Sequence, residues 1–334
     1  MKKTLIALAA VAATSASFAQ STVTLSGTVD VGLEKRFSGD ALRMTPNRNG
    51  TSNWTLSGAE DLGGGLKAVF QISTAFNSDV GTVTTTDGFG NNGMFVGLTG
   101  GFGTLRAGRP VNTLYGNAMF ANGTKGVSLH DSNSVVSGNA TANAKTSGAS
   151  SSVYVPNAVQ YHTPRFGGVQ VQLEYAPSES TAVGNKAGTG IAVRYDGGPL
   201  SVSFTNYTGA KAATSALKSV SQIAAAYDFS VAKLFFTYRD QGGLASDIDT
   251  SYALGVTAPV GPGALYAAYN VNEQAGSDGR TIIGGYKYFL SKRTQAYVNI
   301  ARRNSAWIGA TVTGAGGTGT SSSTGYGFGL QHNF

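Results

Sequence analysis

The side chains in this sequence best placed to act on a solute are cations. Lys67, Arg106, Arg194, Lys233, Arg239 and Lys287 each fall on the polar side of a segment that alternates bulky apolar with polar residues. Asp30, Glu174, Asp196 and Asp228 fall on the same side of theirs. Arg106 and Arg109 stand where one such segment gives way to a long polar stretch, so a narrow passage at that point would carry fixed positive charge. Guanidinium groups stay charged at any working pH and present fixed donors that can replace part of an anion's hydration shell. The same arginines are equally suited to pairing with carboxylates such as Asp131 and bracing the stretch that follows, and one residue can serve both purposes.

Other chemistries find less support. His130, His162 and His332 are the only imidazoles and are too scattered to form a metal-binding signature such as HExxH, and cysteine is absent, which removes thiolate metal sites and disulfides. No metal or cofactor is expected, and no catalytic residues are assigned. The Gly63-Gly64-Gly65 run lacks the Gly-Lys-Ser/Thr of a phosphate loop and leads into a strand rather than a helix. Basic residues exceed acidic ones by a formal +7, but they are dispersed, and two of them, Lys2 and Lys3, lie in the leader. A nucleic-acid footprint would cluster them on one face.

The elements that position these cations are strands. Val23, Leu25, Gly27, Val29, Val31 and Leu33 alternate with Thr22, Thr24, Ser26, Thr28 and Asp30. Such two-sided patterning differs from the continuous apolar run of a strand buried on both faces. After a polar loop to Gly50 come a strand through Trp54 and Leu56, the triple-glycine turn, and Leu66, Ala68, Phe70 and Ile72 alternating with Lys67, Val69, Gln71 and Ser73. Strand, short turn, strand, long loop then recurs through 95–99 and 104–108, 155–162 and 169–175, 191–195 and 200–204, 223–227 and 234–238, 252–257 and 265–271, and 282–288 and 295–300. The last strand puts Tyr326, Phe328, Leu330, His332 and Phe334 on one face and Gly327, Gly329, Gln331 and Asn333 on the other.

With its first and last members the series numbers sixteen. Met1-Lys2-Lys3, the apolar stretch 5–13 and Ser17-Phe18-Ala19 read as a secretory signal peptide over 1–19, cleaved after Ala19. That stretch is too short to span a bilayer as a helix, which takes about 20 residues. Abundant glycine alongside substantial aromatic content and few charges suits a wall with one face in lipid and the other in water. The sequence therefore predicts an all-β fold over 20–334: a 16-stranded antiparallel transmembrane β-barrel with short periplasmic turns and long external loops. Outer-membrane lipid is then the expected surrounding, and small hydrophilic solutes and inorganic ions the expected passengers.

One connection is much longer than the rest. Residues 110–152, rich in Gly, Ser, Asn and Ala, separate the fifth and sixth strands. A barrel can take up such a span by folding it back into a wide polar lumen, and residues 110–152 are expected to narrow the lumen in this way. A loop standing outside is the alternative.

Four segments resemble the general porins of β-proteobacterial outer membranes: Gly58-Ala59-Glu60-Asp61-Leu62-Gly63-Gly64-Gly65-Leu66-Lys67-Ala68, Gly103-Thr104-Leu105-Arg106-Ala107-Gly108-Arg109, Ser291-Lys292-Arg293-Thr294 and the terminal Gly329-Leu330-Gln331-His332-Asn333-Phe334. They fall in family order along the chain. The resemblance implies homotrimers of sixteen-stranded barrels, a pore narrowed by the third external loop, a preference for anions in many members, and a role for Phe334 as the signal to the assembly machinery. It identifies 110–152 as that third loop. The chain departs from the family at Asn53, before Trp54, and at Gln160 in Asn157-Ala158-Val159-Gln160-Tyr161, where the family often carries arginine. Both departures remove positive charge from lumenal positions, so any anion preference is expected to be weak. The sequence also leaves room for a substrate-specific channel or an adhesin-like structural barrel, although only Tyr115 and Phe120 supply aromatic rings within 110–152.

Overall fold

A computed structural model describes residues 21–35, 41–83, 88–119, 153–179, 186–208, 219–240, 248–274, 278–304 and 323–334. The leader 1–19 and residues 120–152, with His130 and Asp131, lie outside the described residues.

Sixteen antiparallel strands form the wall. They are β1 Thr22–Lys35, β2 Asn53–Gly63, β3 Leu66–Asn77, β4 Met94–Gly100, β5 Gly103–Arg109, β6 Ala158–His162, β7 Val169–Ala176, β8 Gly188–Gly197, β9 Leu200–Thr208, β10 Val220–Asp228, β11 Lys233–Asp240, β12 Ile248–Val260, β13 Gly263–Gln274, β14 Gly279–Phe289, β15 Thr294–Arg303 and β16 Ser323–Asn333. Each pairs with its sequence neighbours, and β16 pairs back onto β1 from Thr28↔Asn333 to Lys35↔Tyr326. Backbone bonds in both directions between Gly27 and Phe334 complete the seam. Closure leaves no strand edge to be hydrogen-bonded by lipid, which cannot do so. Among the described residues no helix is long and apolar enough to cross a membrane; in this fold the strands cross.

Strand alternation sorts the residues onto two faces, and β11 shows it most plainly. Leu234, Phe236 and Tyr238 are exposed, whereas Phe235, Thr237 and Arg239 are buried. The outer face carries Leu25, Val96, Val193, Phe204, Ile223, Leu254, Ile282, Val298, Phe328 and Leu330, all open to the surroundings. The inner face carries Ser203, Thr205, Gln222, Thr237, Asn270, Thr281, Asn299 and Gln331, all buried. A soluble protein would reverse this arrangement.

The short turns sit at one end. Between β2 and β3, Gly63, Gly64 and Gly65 all take positive φ (86°, 60° and 80°), three consecutive left-handed residues that only glycine adopts without strain.

Four features depart from the sequence reading. Residues Arg43–Pro46, read as loop, form a short strand against 31–34 of β1, and Thr82–Val83 pair with the end of β3. The strand expected from Val155 starts at Ala158, because Asn157 turns left-handed at φ 58° and breaks the extended run. Inside the span read as a loop, Thr113–Met119 forms a helix, α1.

Candidate functional site

The inner wall is built by register. The ladder joins Arg106, Gln160, Glu174 and Gly190 across β5 to β8, so these positions share one face. Arg106 Nε donates to Gln160 Oε1 at 2.8 Å. Gln160 Nε2 in turn donates to Glu174 Oε2 at 2.6 Å and to the Val111 carbonyl at 2.7 Å. The Arg106 guanidinium also lies over the Phe95 ring, 5.1 Å from its centroid.

Glu174 holds the root of the long connection. Its Oε2 accepts the Thr113 backbone N–H at 2.8 Å and the Thr113 hydroxyl at 2.9 Å. Thr113 opens α1, so the carboxylate meets the positive end of the helix, while Asn112 caps it by accepting the Tyr115 N–H at 2.5 Å. Farther along, Asn117 Nδ2 donates to Gln172, and Gln222 Nε2 donates to the Leu114 carbonyl at 3.2 Å. Leu114 packs with Val155, Ala158, Ala176, Tyr207 and Val220. Both roots of the connection are tied together, Asn112 N–H to the Val153 carbonyl and Val155 N–H to the Pro110 carbonyl. The chain from 110 to 119 therefore runs along the inner face of β7 to β10. Composition gave little sign of α1: Thr113 to Met119 include a glycine and lack the charged pairs of an autonomous helix, and wall contacts stabilise it instead.

The other cations named from sequence are distributed as follows. Arg194 grips Asp196 through Nε at 2.8 Å and Nη2 at 3.0 Å, and Arg165 reaches the same carboxylate at 2.6 Å. Lys233 pairs across the ladder with Asp228 and lies 5.8 Å from the centroid of the Phe235 ring. Lys67 is exposed and pairs across the ladder with Asp61 and Thr99. Arg239 is 1 % exposed and donates from Nε and Nη2 to Gln222 Oε1, the same glutamine that reaches α1. Lys287 lies over Tyr266 at 5.4 Å in a recess of about 360 Å³ shared with Asn49, Gln295 and Gln331. Arg109 follows Gly108, whose φ of 137° interrupts the regular course of β5, and it is half-buried. Burial raises the phenol pKa of Tyr154; Tyr115 adds to the rise and the charge of Arg109 opposes it.

A second cluster escaped the sequence reading. Asp30 Oδ2 accepts the backbone N–H groups of Asn49 and Gly50 at 2.5 and 2.7 Å, and its Oδ1 accepts the Tyr297 hydroxyl at 2.7 Å. Four residues on, Glu34 pairs with Arg43 at 3.3 Å and Arg48 at 3.2 Å. The limb from 43 to 52 thus returns over the inner face of β1, bringing two further arginines to the lumen. The alternation Arg43-Met44-Thr45-Pro46 was the available signal, too short to separate from loop.

Charged and amide side chains around an open interior, with apolar side chains outside, make a hydrated passage through a lipid-embedded wall. The sequence pattern of the Gram-negative porin family matches residues 5–306. The outer membrane porin protein 32 of Delftia acidovorans is 35% identical over 327 residues, covering 90% of this chain and 89% of that one.

The chain belongs to the Gram-negative porin family.

The porin is also similar to an outer membrane porin protein of Bordetella pertussis, at 26% identity over 89% of this chain and 93% of that one. Among solved structures, the anion-selective porin from Comamonas acidovorans superposes with a TM-score of 0.79 at 30% identity, covering 94% of this chain and all of that one. This porin is accordingly a channel of the Gram-negative outer membrane, and its family is not an enzyme class.

Proposed function

We infer that this porin passes small hydrophilic solutes and inorganic ions by passive diffusion, with a weak preference for anions set near Arg106. The observation that carries this reading is the relay from Arg106 through Gln160 to Glu174 and Thr113, because it fixes a permanent cation beside the root of the long connection. The likeness to a porin described as anion-selective supports the sign. Asp196 and Glu34, each paired with an inner-wall arginine, and Glu174 and Asp30, carboxylates on the same inner face, argue for modest strength, as do the neutral side chains at Asn53 and Gln160. Residues 110–152 form the constriction loop in this reading, with Arg106, Arg109, Asp131, Lys67, Arg194, Lys233 and Arg239 along the path. Residues 1–19 are removed on export, Phe334 serves assembly, and the working unit is a homotrimer.

Single-channel recording from the purified protein in planar bilayers tests the diffusion reading. Long-lived open steps whose conductance scales with bulk salt conductivity are expected. Silence, or conductance saturating at low salt as for a binding channel, would oppose it.

A further inference from the structure

The inner wall carries a buried lysine on strands that the Arg106 relay does not involve. Lys287 of β14 is 6 % exposed, and its ammonium lies 5.4 Å from the centroid of the Tyr266 ring. Tyr266 itself crosses onto β14: a Cβ on Gly285 would stand 2.3 Å from its hydroxyl oxygen, so only glycine leaves room for the ring. The ladder sets Lys287 between Ala264 on β13 and Tyr297 on β15, with Gln295 opposite Phe289 two residues nearer the turn. These positions adjoin the short turns at 261–262 and 290–293, at the end that is periplasmic in an outer-membrane barrel.

The recess of about 360 Å³ around Lys287 is lined, among the described residues, by no carboxylate. Amides form much of the remainder. Asn49 Nδ2 donates to Gln331 Oε1 at 2.6 Å, and Gln295 Nε2 donates to the same oxygen, so Gln331 holds both neighbours in place. Asn333 accepts the Thr28 hydroxyl at 2.8 Å through Oδ1, which leaves its Nδ2 as a donor. Asn49 is 3 % exposed, yet its Oδ1 has no hydrogen-bond partner among the described residues. A buried acceptor left unpaired costs free energy, and a hydroxyl brought by a solute would satisfy it. Asp30, opposite Gln331 on β1, has its oxygens engaged by the Asn49 and Gly50 N–H groups and the Tyr297 hydroxyl, which spreads its charge over three donors.

We propose that this recess binds a sugar acid, a small polyhydroxylated monocarboxylate, with its carboxylate on Lys287 and its hydroxyls on Asn49, Gln295 and Asn333. One cation matches one negative charge. Amides, each both donor and acceptor, match hydroxyls, which are the same. The recess has the volume of a small-molecule site, about 300 Å³ and upward, and exceeds what a halide or phosphate fills. Phosphate also favours the bidentate fork of arginine, which this lining lacks. The proposal rests on the reading of the barrel as an open passage only in that the solute reaches the recess through the lumen; it concerns retention near the periplasmic mouth and not the sign of selectivity near Arg106.

Saturation-transfer NMR on the folded porin in non-ionic detergent tests this, with D-gluconate as the probe and glucitol and acetate as its neutral and hydroxyl-free counterparts. Gluconate is expected to bind about tenfold more tightly than either counterpart. K287Q is expected to weaken gluconate by about tenfold, to the level of glucitol, the order for a lost hydrogen bond between charged groups. K287R keeps the charge and should keep most of the affinity, and K292Q, in the adjoining turn, should behave as wild type. Should K287Q fail to fold, Q295E sets a negative charge in the recess and is expected to give the same loss. Glucitol or acetate binding as well as gluconate, or unchanged affinity in a folded K287Q or Q295E, overturns the proposal. Displacement of gluconate by an equal concentration of chloride overturns the sugar-acid assignment in favour of a simple anion site. Because binding is read without ion flow, silent channels in a bilayer would count against the diffusion reading and leave this result standing.

Discussion

Arg106 gives its Nε–H to Gln160, and Gln160 gives its amide to Glu174, so a neutral side chain stands between a cation and an anion 2.8 and 2.6 Å from its own polar atoms. A glutamine in this place joins the two charges without cancelling either. Substituting Arg106→Ala should lower the chloride-to-potassium permeability ratio. A unit charge at about 5 Å in water amounts to about 0.8 kcal/mol, so a change of about two- to four-fold is expected at low salt. Q160R should move the ratio the other way. If the two variants shift it in the same direction, or R106A leaves it unchanged, Arg106 braces the wall without facing the ion path.

Glu174 contributes a negative charge on the same relay. E174Q keeps the oxygen that accepts from Thr113 and removes the charge, so the permeability ratio should rise toward anions by about two-fold at low salt, and the rise should fade at 1 M where the screening length is about 3 Å. E174A removes the anchor as well and should add open-channel noise as the root of the long connection loosens. Quiet, unshifted channels in both variants would mean that Glu174 neither holds α1 nor is felt by permeating ions.

Tyr297 reaches Asp30 by lying across Gly32 and Gly329; a Cβ on Gly329 would stand 2.4 Å from the Tyr297 hydroxyl oxygen. Y297F leaves Asp30 with its backbone donors but without its side-chain donor, at a cost of about 1.5–3 kcal/mol for a hydrogen bond to a charged group. The conversion of folded to unfolded protein on heating, read on unboiled gels, should move to lower temperature. G329A should do the same by displacing the ring. Wild-type heat stability in both would remove Tyr297 from the account of the seam.

The wall was legible in the sequence because its code is local. Leu234, Phe236 and Tyr238 against Lys233, Thr237 and Arg239 state both faces of β11 in seven residues, and a one-residue slip would turn every side chain over. Asp30, Lys233 and Glu174 could be assigned to the inner face for the same reason. What the ladder does not encode is where the connections settle. Arg43 and Arg48 fold back onto Glu34, and Thr113 onto Glu174, through pairings that join separate parts of the chain. No periodicity announces these contacts, and α1 in particular depends on Gln172 and Gln222 of the wall.

Phe334 and Gly27 exchange backbone hydrogen bonds, and a Cβ on Gly27 would lie 2.6 Å from the Phe334 ring and 2.3 Å from the Asn53 carbonyl oxygen. Removing Phe334 should reduce the amount of folded, heat-modifiable protein in the outer membrane, and G27V should reduce it too by forcing the seam apart. Wild-type levels of folded G27V would show that the seam tolerates the displaced ring, and wild-type levels without Phe334 would show that assembly does not read it.

The zero-current potential of the wild-type channel across a tenfold potassium chloride gradient, kept at or below about 0.1 M where screening is weak, tests the central claim most directly. The account predicts a small potential with the sign of chloride crossing faster than potassium, diminishing as both sides approach 1 M. A potential of the opposite sign would contradict it.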